Sequence, residues 1–242
     1  MVVLDHDPRK ADTMSSQLFL YAFFALSAIH VMGELMQDPI RQRIRMGSKP
    51  LLMPALIAYS LLHTDDPNWW IVGGLFLGWI GDVVLMFPKV VLLFMIGLAS
   101  FLLGHGLYIY AFLESTGFLD GMPLWFIALS AVFAFAAAGV FLYFKPHLVG
   151  DNANKKVPVA LYCAIILAMS YASLAIWLNG AGSGIFYVAL PFIGSLFFIV
   201  SDVLLAQLLF VKPFKFDKAM NMTAYLAGQY LIAQSYLPYP FG

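Results

Sequence analysis

Residues 69–87 read WWIVGGLFLGWIGDVVLMF, a stretch in which Asp82 carries the only charged side chain. About 20 mainly apolar residues in an α-helix span the hydrocarbon core of a bilayer. The stretch therefore predicts a transmembrane helix, and it places a carboxyl group within the membrane.

The composition of the whole chain agrees with this reading. Of 242 residues, 62% are hydrophobic and 11% are charged, whereas a soluble domain carries about 25% charged residues. The net charge of zero gives no basic excess for binding nucleic acid. We predict an all-α membrane protein with a polar N-terminal tail at 1–14 and a single transmembrane domain at 15–242.

Apolar segments separated by turn-forming residues predict eight transmembrane helices. These segments are roughly 15–36, 46–63, 69–87, 90–112, 123–143, 157–178, 184–210 and 219–237.

The basic residues predict the orientation. Eleven of the thirteen lysines and arginines fall in the connections after helices 1, 3, 5 and 7, and Arg9 and Lys10 lie on the opposite side. Because basic connections stay in the cytoplasm, both termini are predicted to lie outside. We expect a multi-pass protein of the cell's inner (cytoplasmic) membrane.

Helices 3 and 7 share a short pattern that suggests an internal repeat. GDVVL at 81–85 matches SDVLL at 201–205, and Gly104 and Gly228 follow in helices 4 and 8. We hypothesise two parallel four-helix repeats, which would place the two aspartates across a shared cavity. Chance similarity between apolar helices is the alternative.

Asp82 and Asp202 are the central candidates for function. A carboxylate inside a span costs on the order of 2.5–3.5 kcal/mol on insertion scales, so its presence calls for a reason. A structural hydrogen bond, for example to Ser201, is one reason. The other is a pair facing one pocket, with one carboxyl protonated and the other ionised, as general acid and base require.

Two charged residues near the cytoplasmic side have two readings each. Glu34 lies close in sequence to Arg41 and Arg45, which favours an ion pair as much as a catalytic role. Lys49 precedes a proline at the inner end of helix 2. It is either an interfacial anchor or a cation that meets a substrate phosphate or keeps an aspartate ionised.

Other polar side chains lie within the apolar segments. His105 and Tyr108 are one turn apart in helix 4, and Tyr225 and Gln229 share a face of helix 8. Tyr162 adds a hydroxyl group in helix 6.

No metal or cofactor is predicted. Cys163 is the single cysteine, so it can form neither an intrachain disulfide nor a cysteine-based zinc site. His30, His63 and His105 are predicted at mismatched depths, which makes a three-histidine site hard to build.

Six short stretches from helix 2 to helix 8 carry a family resemblance. They are 49–54 (KPLLMP), 78–85 (GWIGDVVL), 101–108 (FLLGHGLY), 158–162 (PVALY), 194–205 (ending in SDVLL) and 225–229 (YLAGQ). In their order the chain resembles the YhhN-like lysoplasmalogenase family of integral membrane proteins. The resemblance implies a metal-independent enzyme that cleaves the vinyl ether bond of lysoplasmalogens to a fatty aldehyde and glycerophosphoethanolamine or glycerophosphocholine.

The implied chemistry suits two carboxyl groups. One aspartate would protonate the carbon–carbon double bond, and the other would stabilise the resulting cation and activate water; which is which stays open. The residues expected to orient or bind the lysophospholipid are Lys49, through its phosphate, and His105, Tyr108, Tyr162, Ser201, Tyr225 and Gln229, with Glu34 as a further candidate.

Two other functions fit the same residues. Intramembrane acids and parallel repeats also describe a small proton-coupled transporter, although the polar residues here are predicted mostly toward one side. A lipid-binding scaffold without turnover would use its acids only structurally. The oligomeric state is left open.

Overall fold

The computed structural model describes residues 8–87, 90–116, 124–179 and 185–237, and these residues contain helices and no strand. The predicted all-α class is therefore confirmed. The helices are α1 (Pro8–Glu34), α2 (Ile40–Leu62), α3 (Trp69–Val84), α4 (Val91–Ser115), α5 (Leu124–Phe144), α6 (Lys156–Asn179), α7 (Ile185–Ala206) and α8 (Asp217–Gln234).

Short 3₁₀-helical and π-helical turns lie next to three of these helices. Two 3₁₀ turns, Lys145–His147 and Gly150–Lys155, connect α5 to α6, and a π-helical turn, Gln207–Val211, extends α7.

Within the described residues, five helical segments are long and apolar enough to cross a membrane. They are Met14–Glu34, Leu92–Ser115, Phe126–His147, Asn152–Leu178 and Ala189–Val211. The apolar helix α3 is shorter. A multi-pass membrane protein is thus confirmed, whereas the count of eight spans stays a prediction.

Some predicted boundaries differ from the observed ones. Helix α1 begins at Pro8, inside the predicted polar tail, and α2 begins at Ile40, before the predicted start at residue 46. Arginine and glutamine are good helix formers although they are polar, so a helix extends beyond its apolar part. The termini that carry the predicted orientation, 1–7 and 238–242, and Lys89 lie outside the described residues.

The helices pack as a ring with one helix at its edge. The closest pairs are α1 with α2, α3 with α4, and α7 with α8; α6 joins α4 to α7, and α8 meets α1, α2 and α3. Helix α5 packs mainly on α6 and leaves most of its surface exposed, as a lipid-facing helix would. The largest buried side chains in the core include Tyr59, Tyr108 and Phe112.

Glycines allow the closest helix crossings. A methyl group added at Gly104 in α4 would lie 3.2 Å from the Gly74 carbonyl oxygen in α3, and one added at Gly228 in α8 would lie 2.9 Å from the Gly194 carbonyl oxygen in α7. Small residues give membrane helices this close approach. Gly74 and Gly194 each lie eight residues before the aspartate of their helix. Duplication of the whole four-helix unit stays a prediction.

Candidate active site

A cavity of about 330 Å³ is lined by residues from every helix from α1 to α8, and most of its lining is aliphatic or aromatic. It brings together seven of the residues singled out from the sequence. They are Glu34, Lys49, Asp82, Tyr162, Ser201, Asp202 and Tyr225. Both aspartates therefore face one shared space.

Asp82 is buried and accepts a donor at each carboxylate oxygen. Its side chain is 4% exposed; Lys49 Nζ lies 3.1 Å from Oδ1, and the Tyr225 hydroxyl donates to Oδ2 at 2.7 Å. A buried carboxylate needs a paired cation and satisfied lone pairs. The surroundings of Asp82 thus match an ionised group.

Two prolines in α2, Pro50 and Pro54, create a contact with α3 beside Lys49. Pro54 has no N–H, so the Pro50 carbonyl one turn earlier has no donor within the helix. The indole nitrogen of Trp79 in α3 donates to that carbonyl at 2.9 Å. This bond joins α2 to α3 at the residue after Lys49, where the ammonium group meets Asp82.

A chain of hydrogen bonds behind the cavity supports Asp82. Tyr108 donates to Gln229 Oε1 at 2.7 Å, Gln229 Nε2 donates to the Tyr225 hydroxyl at 3.2 Å, and Tyr225 donates to Asp82. Each donor points toward the carboxylate. Gly78 in α3 leaves room for this arrangement, because an added methyl group would lie 2.9 Å from Gln229 Nε2.

Asp202 is half-buried and has a different set of neighbours. The Tyr162 hydroxyl donates to its Oδ2 at 2.9 Å. Among the residues the structure describes, no lysine or arginine nitrogen lies within 4.0 Å of this carboxyl group. Oδ1 is therefore available to carry a proton.

Ser201 and His105 have supporting positions. Asn221 Nδ2 donates to the Ser201 carbonyl at 2.6 Å and reaches its hydroxyl at 3.2 Å, which ties α8 to α7 beside Asp202. His105 is outside the cavity lining; its Nδ1 bonds the Phe101 carbonyl at 2.5 Å and its ring packs 5.5 Å from that of Tyr162. Tyr108 and Gln229 also lie behind the cavity wall.

Glu34 lines the cavity but does not pair with the arginines expected from the sequence. Arg41 bonds Asp38 at 2.8 Å, and Arg45 donates to the Leu85 carbonyl at 3.4 Å. The nearest ionisable partner of Glu34 is His30, with Nε2 3.6 Å from Oε1.

Sequence reasoning did not identify several polar lining residues as functional. These are His30, Arg45, Lys155, Lys218 and Asn221. For two of them the sequence spacing was informative. Asn221 precedes Tyr225 by one turn on α8, and His30 precedes Glu34 by one turn on α1, so each shares a helix face with a predicted site residue. Lys155 and Lys218 gave no such signal, since both lie in predicted cytoplasmic connections.

Comparison with known proteins gives consistent matches. The model of the YhhN family matches residues 44–236. Lysoplasmalogenase TMEM86B from Rattus norvegicus is 27% identical over 192 residues, which cover 79% of this chain and 72% of that protein. Lysoplasmalogenase TMEM86B from Homo sapiens is 32% identical over 168 residues, which cover 69% of this chain and 63% of that protein. No solved structure matches the chain.

Proposed function

Because the chain belongs to the YhhN family, we propose that it is a membrane hydrolase that cleaves the vinyl ether bond of lysoplasmalogens. The names of its relatives support this substrate class. The observation that carries the proposal is that two aspartates with unlike surroundings line one apolar cavity.

The unlike surroundings support a different role for each aspartate in this proposal. Asp82 has an ammonium group at 3.1 Å and a phenol at 2.7 Å, so it is the carboxylate. Asp202 accepts only from a phenol at 2.9 Å among the described residues, so it holds the proton and is the general acid. Such a division between two carboxyl groups is how a single site supplies both acid and base.

The reaction then proceeds in three steps. The Asp202 carboxyl transfers its proton to the double-bond carbon that is not attached to oxygen, and the electron pair of the double bond forms that C–H bond. The resulting oxocarbenium ion is stabilised by the Asp82 carboxylate, as related cations are in glycosidases. The oxygen of a water molecule then adds to the cationic carbon while Asp82 takes one of the water protons, which gives a hemiacetal.

Collapse of the hemiacetal completes turnover. Its C–O bond to glycerol breaks as the hydroxyl proton passes, directly or through water, to the departing glycerol oxygen, and the products are a fatty aldehyde and the glycerol hydroxyl of the headgroup fragment. The proton taken up by Asp82 returns to Asp202 through solvent in the cavity. The net reaction consumes one water, and no residue remains modified.

The cavity supports binding of a single-chain lipid. Its aliphatic and aromatic walls suit the alkenyl chain, and Arg45, Lys155 and Lys218 supply positive charge for the phosphate. Lys49, the residue expected either to meet the phosphate or to keep an aspartate ionised, lies against Asp82; its role in the proposal is to keep that aspartate ionised. The proposal keeps the protein in the cytoplasmic membrane, with the basic connections on the cytoplasmic side.

The decisive experiment measures aldehyde release from a 1-alkenyl lysophosphoethanolamine by purified protein in detergent. Wild type should release aldehyde with or without chelator, and Asp82→Asn and Asp202→Asn should each lower kcat by at least about 10³-fold, since each removes a group needed in the transition state. Asp66→Asn, at an exposed loop position, is the control and should keep full activity.

An isotope measurement tests the assigned chemistry. In D₂O, aldehyde trapped at once by reduction should carry one deuterium at the carbon next to the former carbonyl. Aldehyde without that deuterium would refute protonation of the double bond, and absence of aldehyde from well-folded wild type would refute the enzyme.

A further inference from the structure

His30 is held in one orientation by Ser48, and the geometry determines where its hydrogen lies. Ser48 Oγ is 2.7 Å from the Ile44 carbonyl oxygen and 2.7 Å from His30 Nδ1. The serine hydroxyl has one hydrogen, and the carbonyl can only accept, so the serine donates to Ile44. His30 Nδ1 must therefore donate to Ser48. The same assignment rules out His30 as a base that activates Ser48.

The other ring nitrogen of His30 is left without a donor. In the neutral ring Nε2 carries the lone pair, it is buried, and it has no hydrogen-bond partner among the described residues. It faces Glu34 Oε1 at 3.6 Å, with the two side chains only 0% and 7% exposed. With the His30 ring neutral, two acceptors thus face each other on the cavity wall, and the buried unsatisfied nitrogen of His30 calls for a donor beside Glu34.

The charges around Glu34 make the cavity complementary to a zwitterion. No lysine or arginine nitrogen in the described part of the chain lies within 4.0 Å of the Glu34 carboxylate. Arg45, Lys155 and Lys218 line the same cavity as positive groups. A ligand with a phosphate and an ammonium group meets both charges, the phosphate at the basic residues and the ammonium at Glu34.

The two facing acceptors favour a primary ammonium over a quaternary one. A quaternary ammonium has no N–H and is recognised by aromatic faces. Two of the six phenylalanine and tyrosine rings in the lining, those of Phe94 and Phe210, already face the ammonium of Lys155, 5.2 and 5.7 Å from their centroids. A primary ammonium donates three hydrogen bonds, and one nitrogen can lie about 2.8 Å from two acceptors that are 3.6 Å apart.

We propose that Glu34 and His30 bind the primary ammonium group of the lipid headgroup, so that the protein selects ethanolamine over choline. The inference rests on the proposed function for the lysophospholipid nature of the ligand. It makes Glu34 and His30 specificity-determining residues, separate from the two aspartates that carry the chemistry.

Binding of uncleavable probes tests the inference apart from catalysis. The probes are saturated 1-alkyl lysophospholipids with ethanolamine, N,N-dimethylethanolamine and choline headgroups, titrated calorimetrically into purified protein in detergent. Because hydrogen bonds to a charged group are involved, wild type should bind the ethanolamine probe about ten- to hundredfold more tightly than the choline probe. The dimethyl probe should fall between them.

The variants separate recognition from structure. Glu34→Gln should bind the ethanolamine probe as weakly as the choline probe and leave choline binding unchanged. The control Asp38→Asn removes an exposed carboxylate at the same end of the helices and should keep the wild-type preference. Thermal unfolding of each variant in detergent establishes that it is folded.

Each outcome has a distinct meaning. Equal affinity of wild type for ethanolamine and choline probes, or equal weakening of both probes by Glu34→Gln, would overturn the inference even if aldehyde is released. Selective binding without aldehyde release would support the ammonium site and refute only the proposed hydrolase activity.

Discussion

Lys49→Met is the most informative single substitution, because it removes a buried charge and keeps an unbranched side chain of similar shape. At 3.1 Å and an effective dielectric of about 20, the attraction between Lys49 Nζ and the Asp82 carboxylate is about 5 kcal/mol before desolvation is counted. Removing one partner from a buried pair costs about 3–5 kcal/mol of stability. Lys49→Met should therefore lower the free energy of unfolding by about 3 kcal/mol or more.

Pairing the substitution with Asp82→Asn isolates the interaction. In the double variant neither charge is buried, so its stability should return to within about 1 kcal/mol of wild type. The coupling energy from the four proteins should then reach several kcal/mol, whereas independent sites add within about 0.5 kcal/mol. Denaturation in detergent, followed by tryptophan fluorescence, measures these differences.

Enzyme activity provides a second, independent measurement of the interaction between Lys49 and Asp82. If Lys49 acts by keeping Asp82 ionised, Lys49→Met should lower kcat by about 100-fold, since 3 kcal/mol corresponds to about two powers of ten. The double variant should be no less active than Asp82→Asn. A Lys49→Met enzyme with normal kcat, raised KM and additive stability effects would refute this reasoning and restore Lys49 as a phosphate ligand.

Two further substitutions test the packing that positions the site. Gly228→Ala should lower the free energy of unfolding by about 1–3 kcal/mol, because its methyl group would lie 2.9 Å from the Gly194 carbonyl oxygen. The control Gly139→Ala, whose methyl group would have nothing within 4 Å, should be neutral or stabilising in the same thermal scan. A neutral Gly228→Ala would contradict the close crossing of α7 and α8. Trp79→Phe should cost about 1 kcal/mol and lower kcat severalfold, because it removes the donor to the carbonyl next to Lys49. Trp70→Phe, at an exposed position on the same helix, is its control, and an equal loss in both would refute the role of the hydrogen bond.

Much of the fold was predictable because membrane helices carry their own signal. Each helix must satisfy its backbone hydrogen bonds internally and present apolar side chains to lipid, so local composition is sufficient to find it. The ends were less predictable. Helix α2 includes an arginine-rich first part from Ile40 that hydropathy alone does not include. The order of packing, with α5 at the edge of the ring, depends on contacts between segments and gave no local signal.

The candidate site was predictable as a set of residues and not as a set of contacts. Asp82, Asp202 and the tyrosines were conspicuous because polar groups in apolar helices are costly. The partner of Glu34 was expected to be an arginine and is His30 in the structure. Spacing along one helix could suggest His30, but it could not show that Arg41 is engaged by Asp38.

The amino-acid sequence was sufficient to predict the all-α membrane class and to locate two aspartates within apolar stretches, since both depend only on which residues occur in each stretch. The partners of these aspartates became known from the packed helices: Asp82 has a cation, and Asp202 has a phenol alone among the described residues. Those environments are built by side chains from other helices, and their meeting depends on how α2, α6 and α8 are rotated and packed. That packing gives two chemically identical aspartates unlike surroundings, on which the proposed roles of base and acid rest.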